Sequence, residues 1–165
     1  MKLRAQPTYH GGVNSPSNGP QLEAWRAFLT GYRALIDVLE DELKCARGLP
    51  LTWFDVLAQL HDAPGNRLRM KELAGSIMLS KSGLTRVIDR LVGADLVARE
   101  SCPSDRRGYE AVLTAAGRQA FEEALPVHLE GIERHFSRYF SDDEARALSQ
   151  ALTKLMRPAP AAPCP

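Results

Sequence analysis

The chain has 165 residues, the length of one ordinary domain with room for a real core. Its composition, 44% hydrophobic and 25% charged, is that of a globular protein and excludes a chain too polar to fold. A net charge of only +1 does not by itself announce a nucleic-acid partner, and no apolar run is long enough to span a membrane.

Residues 1–20 hold Pro7, Gly11, Gly12, Asn14, Ser15, Pro16, Ser17, Asn18, Gly19 and Pro20, which predicts a disordered arm. Lys2 and Arg4 precede no apolar segment, so no secretory signal is expected. Cys45, Cys102 and Cys164 form an odd, widely spaced set that fits a reducing compartment, and the expected location is cytoplasmic. From residue 21 to 48 the residues Leu22, Trp25, Phe28, Leu29, Tyr32, Leu35, Ile36, Leu39 and Leu43 keep the helical period. A stripe this broad would leave much apolar surface bare if it packed on one side only. Gly48-Leu49-Pro50 ends this helix. The next starts near Leu51, with Thr52 as its expected cap, buries Phe54, Leu57 and Leu60, and stops at Ala63-Pro64-Gly65-Asn66.

Arg67-Leu68-Arg69-Met70 predicts a short strand and Lys71–Ile77 a short helix. A tight turn leads to the next helix, over about 80–93. Its residues Leu84, Val87, Ile88 and Leu91 recur at i, i+3, i+4 and i+7, and Lys81, Ser82, Thr85, Arg86, Asp89 and Arg90 take the other face. Serines at its start can cap the open N–H groups. Hydroxyls, a lysine and an arginine near a helix N-terminus suit a DNA major groove, and the alternative is an ordinary amphipathic surface helix. Leu96–Cys102 and Tyr109–Leu113 then read as two strands around a turn over 103–108 that carries Arg106 and Arg107. Helix, turn, recognition helix and basic hairpin, in that order, predict a winged helix-turn-helix. Residues 65–110 hold nine Lys/Arg against six Asp/Glu, so the flanking segments are net negative. That is the footprint of local DNA contact.

Beyond the wing, Thr114 is the expected cap of a helix running to about Phe140 with Pro126 as a kink, and Ser141-Asp142-Asp143-Glu144 opens a last helix, Ala145 to Arg157. Residues 158–165 read as a frayed tail.

Arg69-Met70-Lys71-Glu72-Leu73-Ala74, then Leu84–Leu91, then Asp105-Arg106-Arg107-Gly108 with Val112-Leu113-Thr114 and Gly117, closely resemble the multiple antibiotic resistance regulator (MarR) family of bacterial transcription factors. The resemblance runs from about Leu51 to Gly117 and architecturally from about 21 to 157. It implies a mainly α (α+β) chain: an arm at 1–20, a dimerisation helix at 21–48, a winged helix-turn-helix at 49–113 with its wing at 97–113, dimerisation helices at 114–157, and a tail at 158–165. The implied partners are double-stranded DNA at a pseudo-palindromic operator, a second copy of the chain, and a small aromatic or phenolic effector, with no cofactor and no membrane.

Ser82, Thr85 and Arg86 are the candidates for base edges, Lys81 and Arg90 for phosphate. By the resemblance Arg107 enters the minor groove, Asp105 braces it, and Arg106 contacts phosphate. The alternative for each is a solvated surface charge. Trp25, Tyr32, Trp53 and His61 are candidates to line the family's ligand cleft, between dimer helices and winged module, with core packing as the alternative for the aromatics. Redox sensing through Cys45 or Cys102, metal sensing through His128 and His135, and a winged domain that binds only protein are the rival readings. No pattern of an enzyme's nucleophile, metal site or phosphate loop is present.

Overall fold

The structure, a computed structural model, describes residues 19–77, 79–102 and 105–156, and of residues 81, 102, 105–108 and 156 the backbone alone. The expected arm and tail, and Pro103 and Ser104 of the expected turn, lie outside the described residues. The elements are α1 (Pro20–Arg47), α2 (Leu51–Asp62), β1 (Arg67–Arg69), α3 (Met70–Ser76), α4 (Lys81–Gly93), β2 (Val97–Cys102), β3 (Asp105–Leu113), α5 (Ala115–His135) and α6 (Asp142–Thr153). Short 3-10 turns lie at Pro64–Asn66, Ser137–Tyr139 and Lys154–Met156. The chain is mainly helical with one antiparallel sheet in the order β1-β3-β2, and the winged helix-turn-helix order stands. No helix among the described residues is long and apolar enough to cross a membrane.

Contacts divide the chain into two compact units, one ending at Ile36 and the other beginning at Asp37. In the first, the aromatic stripe of α1 is intact but bare. The rings of Trp25, Phe28 and Tyr32 follow one another at 6.3 and 6.2 Å, while Trp25 remains 52% and Tyr32 42% exposed.

In the second unit the stripe continues as buried Leu39 and Leu43. The core is built by α2 (Leu57, Leu60), α3 (Leu73), α4 (Leu84, Ile88, Leu91) and β2 (Val97), every one fully buried. The expected Thr52 cap is not used. Pro50 holds the N-cap position of α2 without a side-chain bond, and the Leu51 N–H instead donates to Glu40 Oε2 at 2.5 Å. A carboxylate eleven residues upstream thus satisfies an orphan donor and complements the helix dipole, which no local pattern reveals.

α5 ends at His135, short of the expected Phe140. Phe136 leaves helical dihedrals, the chain tightens through Ser137–Tyr139, and the Phe136 and Phe140 rings meet at 4.9 Å. Pro126 lies inside α5 without ending it. α5 sits close to the second part of α1 at Gly131, where a Cβ would come within 2.7 Å of the Leu39 side chain. α6 opens on the expected capping box: Ser141 accepts from the Glu144 N–H, and Glu144 accepts from the Ser141 N–H at 2.9 Å. It ends at Thr153 rather than Arg157, relaxing into the last 3-10 turn. None of its residues is buried, and its principal contacts are with that turn alone.

Candidate nucleic-acid interface

α3 and α4 are joined by a tight turn in which Leu79 N–H bonds Ile77 C=O at 2.8 Å. α4 opens as its sequence requires. Ser80 is the N-cap and its hydroxyl accepts from Gly83 N–H at 3.1 Å. A Cβ at Gly83 would stand 3.1 Å from that same oxygen, so glycine leaves room for the cap itself. With Leu84, Ile88 and Leu91 buried and Val87 half-buried, the outward face carries exposed Ser82, Thr85, Arg86, Asp89 and Arg90. Lys81 is the first helical residue, at the positive end of the dipole.

The far end of α4 is tied to α5. Asp95 turns the chain at φ +60°, and its carbonyl accepts from the Thr114 hydroxyl at 2.7 Å. Thr114 is also the N-cap of α5, accepting from Gly117 N–H at 2.9 Å.

The wing is longer than its turn residues predict. The segment over 103–108 is expected as a turn, but β3 begins at Asp105, opposite Cys102, so Asp105, Arg106 and Arg107 stand at the start of a strand. Backbone pairing extends past the Pro/Ser/Asp composition, with a register irregularity between Ser101 and Cys102. The two faces of the sheet have different chemistry. On one, Arg67 pairs with Glu100 at 3.0 Å and Glu110 at 3.5 Å, and Arg69 with Glu110 at 4.0 Å. On the other, Val97, Ala111 and Leu113 are buried, and Arg99 reaches Asp89 on α4 at 2.6 Å. Arg67, Arg69 and Arg99 are thereby offset by acids, whereas Arg86 and Arg90 pair with no acid among the described residues.

The four ligand candidates divide between the units. Trp25 and Tyr32 belong to the first, while Trp53 and His61, half-buried on α2, belong to the second. The His61 ring packs on Phe121 at 4.7 Å, Phe121 on Phe54 at 5.3 Å, and Phe54 on His128 at 4.5 Å. His128 Nδ1 is buried with no hydrogen-bond partner among the described residues, and desolvation pulls the ring below the ordinary histidine pKa. His135 instead bonds Glu42 at 2.8 Å beside Arg134 at 2.7 Å. Those contacts, the His135 bond foremost, hold the Glu42 carboxyl below the usual carboxylate range. The two histidines therefore have different surroundings, and the described residues contain no cluster of three metal-ligating side chains. Cys45 is an exposed free thiol.

Sequence reasoning missed three features: the Glu40 cap, the Glu42–His135 pair and a knot at Asn66. Asn66, at φ +55°, donates to Leu60 C=O at 3.3 Å and His61 C=O at 2.8 Å and accepts from Arg118. Only the last left a signal, the Pro64-Gly65-Asn66 run, where asparagine tolerates the left-handed region.

A model of the MarR family matches residues 47–108. The chain is 28% identical over 149 residues to the transcriptional repressor YetL of Bacillus subtilis, covering 87% of this chain and 88% of that protein. Among solved structures it resembles AbsC, a MarR family transcriptional regulator of Streptomyces coelicolor, with TM-score 0.79, 34% identity, and 88% of this chain and 96% of that one covered. It also resembles Sco3205 of the same organism, a MarR family regulator solved in complex with DNA, with TM-score 0.80, 27% identity, and 86% and 94% covered.

Proposed function

The chain belongs to the MarR family of DNA-binding transcriptional regulators, and on that premise we propose that it is a homodimeric, effector-responsive repressor of a pseudo-palindromic operator. The observation that carries the DNA reading is α4, capped by Ser80, with an exposed polar face whose arginines pair with no acid among the described residues. In this reading Ser82, Thr85 and Arg86 meet base edges in the major groove, and Lys81 and Arg90 meet phosphates. Arg107 enters the minor groove with Asp105 as its brace, and Arg106 contacts phosphate.

The dimer reading is supported by apolar surface that each unit leaves bare: Trp25, Phe28, Leu29 and Tyr32 in the first, Leu129, Phe136, Phe140 and Leu155 in the second. α6 has an amphipathic sequence, buries none of its residues, and has its principal contacts among the described residues with the following 3-10 turn. A second copy covers these faces, and two winged modules then meet half-sites about one helical turn apart. A small aromatic or phenolic effector is the proposed signal, with Trp25, Tyr32, Trp53 and His61 as its contacts. Repression is the proposed outcome, in keeping with the relative named a repressor.

The test is a duplex selected by the protein from genomic fragments, titrated at several salt concentrations and sized by light scattering. Each neutralised phosphate contributes a log–log slope of about −0.9, so a two-winged complex should give a slope on the order of −5 or steeper. A flat response refutes the DNA interface, and a monomer at micromolar concentration refutes the dimer.

A further inference from the structure

Tyr109 stands out on the wing. On β3 the side chains alternate, so Tyr109 shares a face with Ala111 and Leu113, both buried. That face looks toward α4, because Arg99, the register partner of Ala111, bridges from it to Asp89 on the recognition helix. An aromatic next along this face would ordinarily be buried. Tyr109 is instead 58% exposed, and its hydroxyl makes no hydrogen bond among the described residues. Ser101, its register partner on β2, is exposed and too small to cover the ring. Tyr109 lies one rung beyond the Arg99–Asp89 bridge, two residues or about 6.6 Å along the strand toward the tip.

Resting on the DNA reading above, this position has a meaning. When a recognition helix lies in a major groove and the wing tip in the adjacent minor groove, one phosphate ridge must pass between them. The surface facing that ridge is the α4-facing side of the wing, outward of its bridge to α4. We propose that Tyr109 is a DNA-backbone contact, donating its phenolic O–H to a non-bridging phosphate oxygen on that ridge. The uncharged ring stands over the sugar edge while the hydroxyl makes a charge-assisted bond. Such a contact fixes the register of the wing against α4 and reads no base. The Arg99–Asp89 bridge keeps that side of the wing facing the helix.

The test uses the full chain and a duplex that the unaltered protein has selected from a random-sequence library. Tyr109→Phe removes one oxygen and no charge. Binding should weaken about three- to tenfold for each engaged wing, with the salt slope unchanged because no cation is lost. Single methylphosphonates, which neutralise one phosphate at a time, are then walked along both strands. At the contacted phosphate of either half-site a methylphosphonate should remove one wing's share of the difference between the unaltered protein and Tyr109→Phe. Methylphosphonates at both contacted phosphates should make the two proteins bind equally, and elsewhere the full difference should persist. If Tyr109→Phe binds as tightly as the parent, the hydroxyl contacts nothing, and the inference fails while the DNA reading stands. A loss equal at every methylphosphonate position means that the ring acts through the fold, which also overturns it. A parent protein that binds no duplex removes both readings.

Discussion

Gly117→Ala should be among the most damaging single-methyl substitutions in this chain. A Cβ there would stand 2.0 Å from the Leu96 carbonyl oxygen and 2.9 Å from its carbon, where ordinary contact begins at 3.4 Å. The Leu96 atoms are backbone and a Cβ has no rotamer, so no side-chain rotation relieves that clash. α5 would have to retreat by more than an ångström. That retreat strains the Thr114 O–H bond to Asp95 C=O at 2.7 Å and the Thr114 N–H bond to Leu96 C=O at 3.2 Å. Overpacking costs about 1–3 kcal/mol, and two weakened hydrogen bonds add about 1 kcal/mol each. The helix-propensity gain of alanine returns up to about 1 kcal/mol. A net loss of about 3 kcal/mol lowers the melting temperature by roughly 6–12 °C for a chain of this size. The assay is thermal unfolding at one fixed chain concentration, with Gly75→Ala as control. Gly75 has nothing within 4 Å of its would-be Cβ, and its variant should melt at or above the parent. Gly117→Ala melting alongside Gly75→Ala would refute the argument that this glycine exists to seat α5 against the end of α4.

Arg107→Ala should weaken binding to many sequences and reduce the salt slope by roughly one per engaged wing, while Arg86→Ala should relax base preference at one position per half-site by about 1–3 kcal/mol. Half-site libraries at two salt concentrations separate the two, and Arg107→Ala binding like the parent would remove the wing from the interface. Glu42→Gln should destabilise the protein at neutral pH and not in strong acid. The carboxyl is held low by His135 first and Arg134 next, so its contribution is complete above the ordinary carboxylate value of about 4.3 and lost as pH falls through the lower native value. Equal melting of parent and variant at neutral pH would count against this. His128→Leu should melt higher than the parent, and the gap should widen as pH falls below about 6.5. The buried Nδ1 has no hydrogen-bond partner among the described residues and the native ring resists protonation, so the parent loses stability over that range. A pH-independent gap between the two melting curves would refute the desolvation argument.

The parts legible in the sequence are those whose causes are local. Leu84, Ile88 and Leu91 at helical spacing identified the buried face of α4, and Ser80, Thr114 and Ser141 opened their helices by local oxygen-to-amide bonds. The features that escaped are non-local or geometric. Glu40 caps α2 from another helix, and its carboxylate looks like any solvated charge on a helical stripe. Pro103 and Asp105 signalled a turn by composition, but strand length depends on backbone pairing, and β3 extends back to Asp105. The end of α5 is expected too late because Phe136 and Phe140 continue the apolar spacing, whereas the backbone of Phe136 has already left the helix. Of the candidate site, exposure of Ser82, Thr85, Arg86 and Arg90 follows from the same periodicity that buries their neighbours. Which arginines remain available does not. Arg67, Arg69 and Arg99 are as basic as Arg86 in a linear reading, and it is the cross-strand register that places Glu110 and Glu100, and the approach of β2 to α4 that places Asp89, against them.

That sorting of charge bears on how the reader is built. Ion pairs on one face of the sheet and the Arg99–Asp89 pair to α4 link the strands to the helix that, in the function proposed above, reads DNA. The flanking helices show the opposite economy. α4 buries three large side chains within the chain, while α6, of nearly equal length, buries none and holds its form by its capping box. An amphipathic helix that buries none of its residues gains little from propensity alone. In the homodimer proposed above, a second copy supplies that partner, and the assembly that completes α6 is also the one that sets two α4 helices at a fixed spacing. Dimerisation and operator spacing are then one structural requirement.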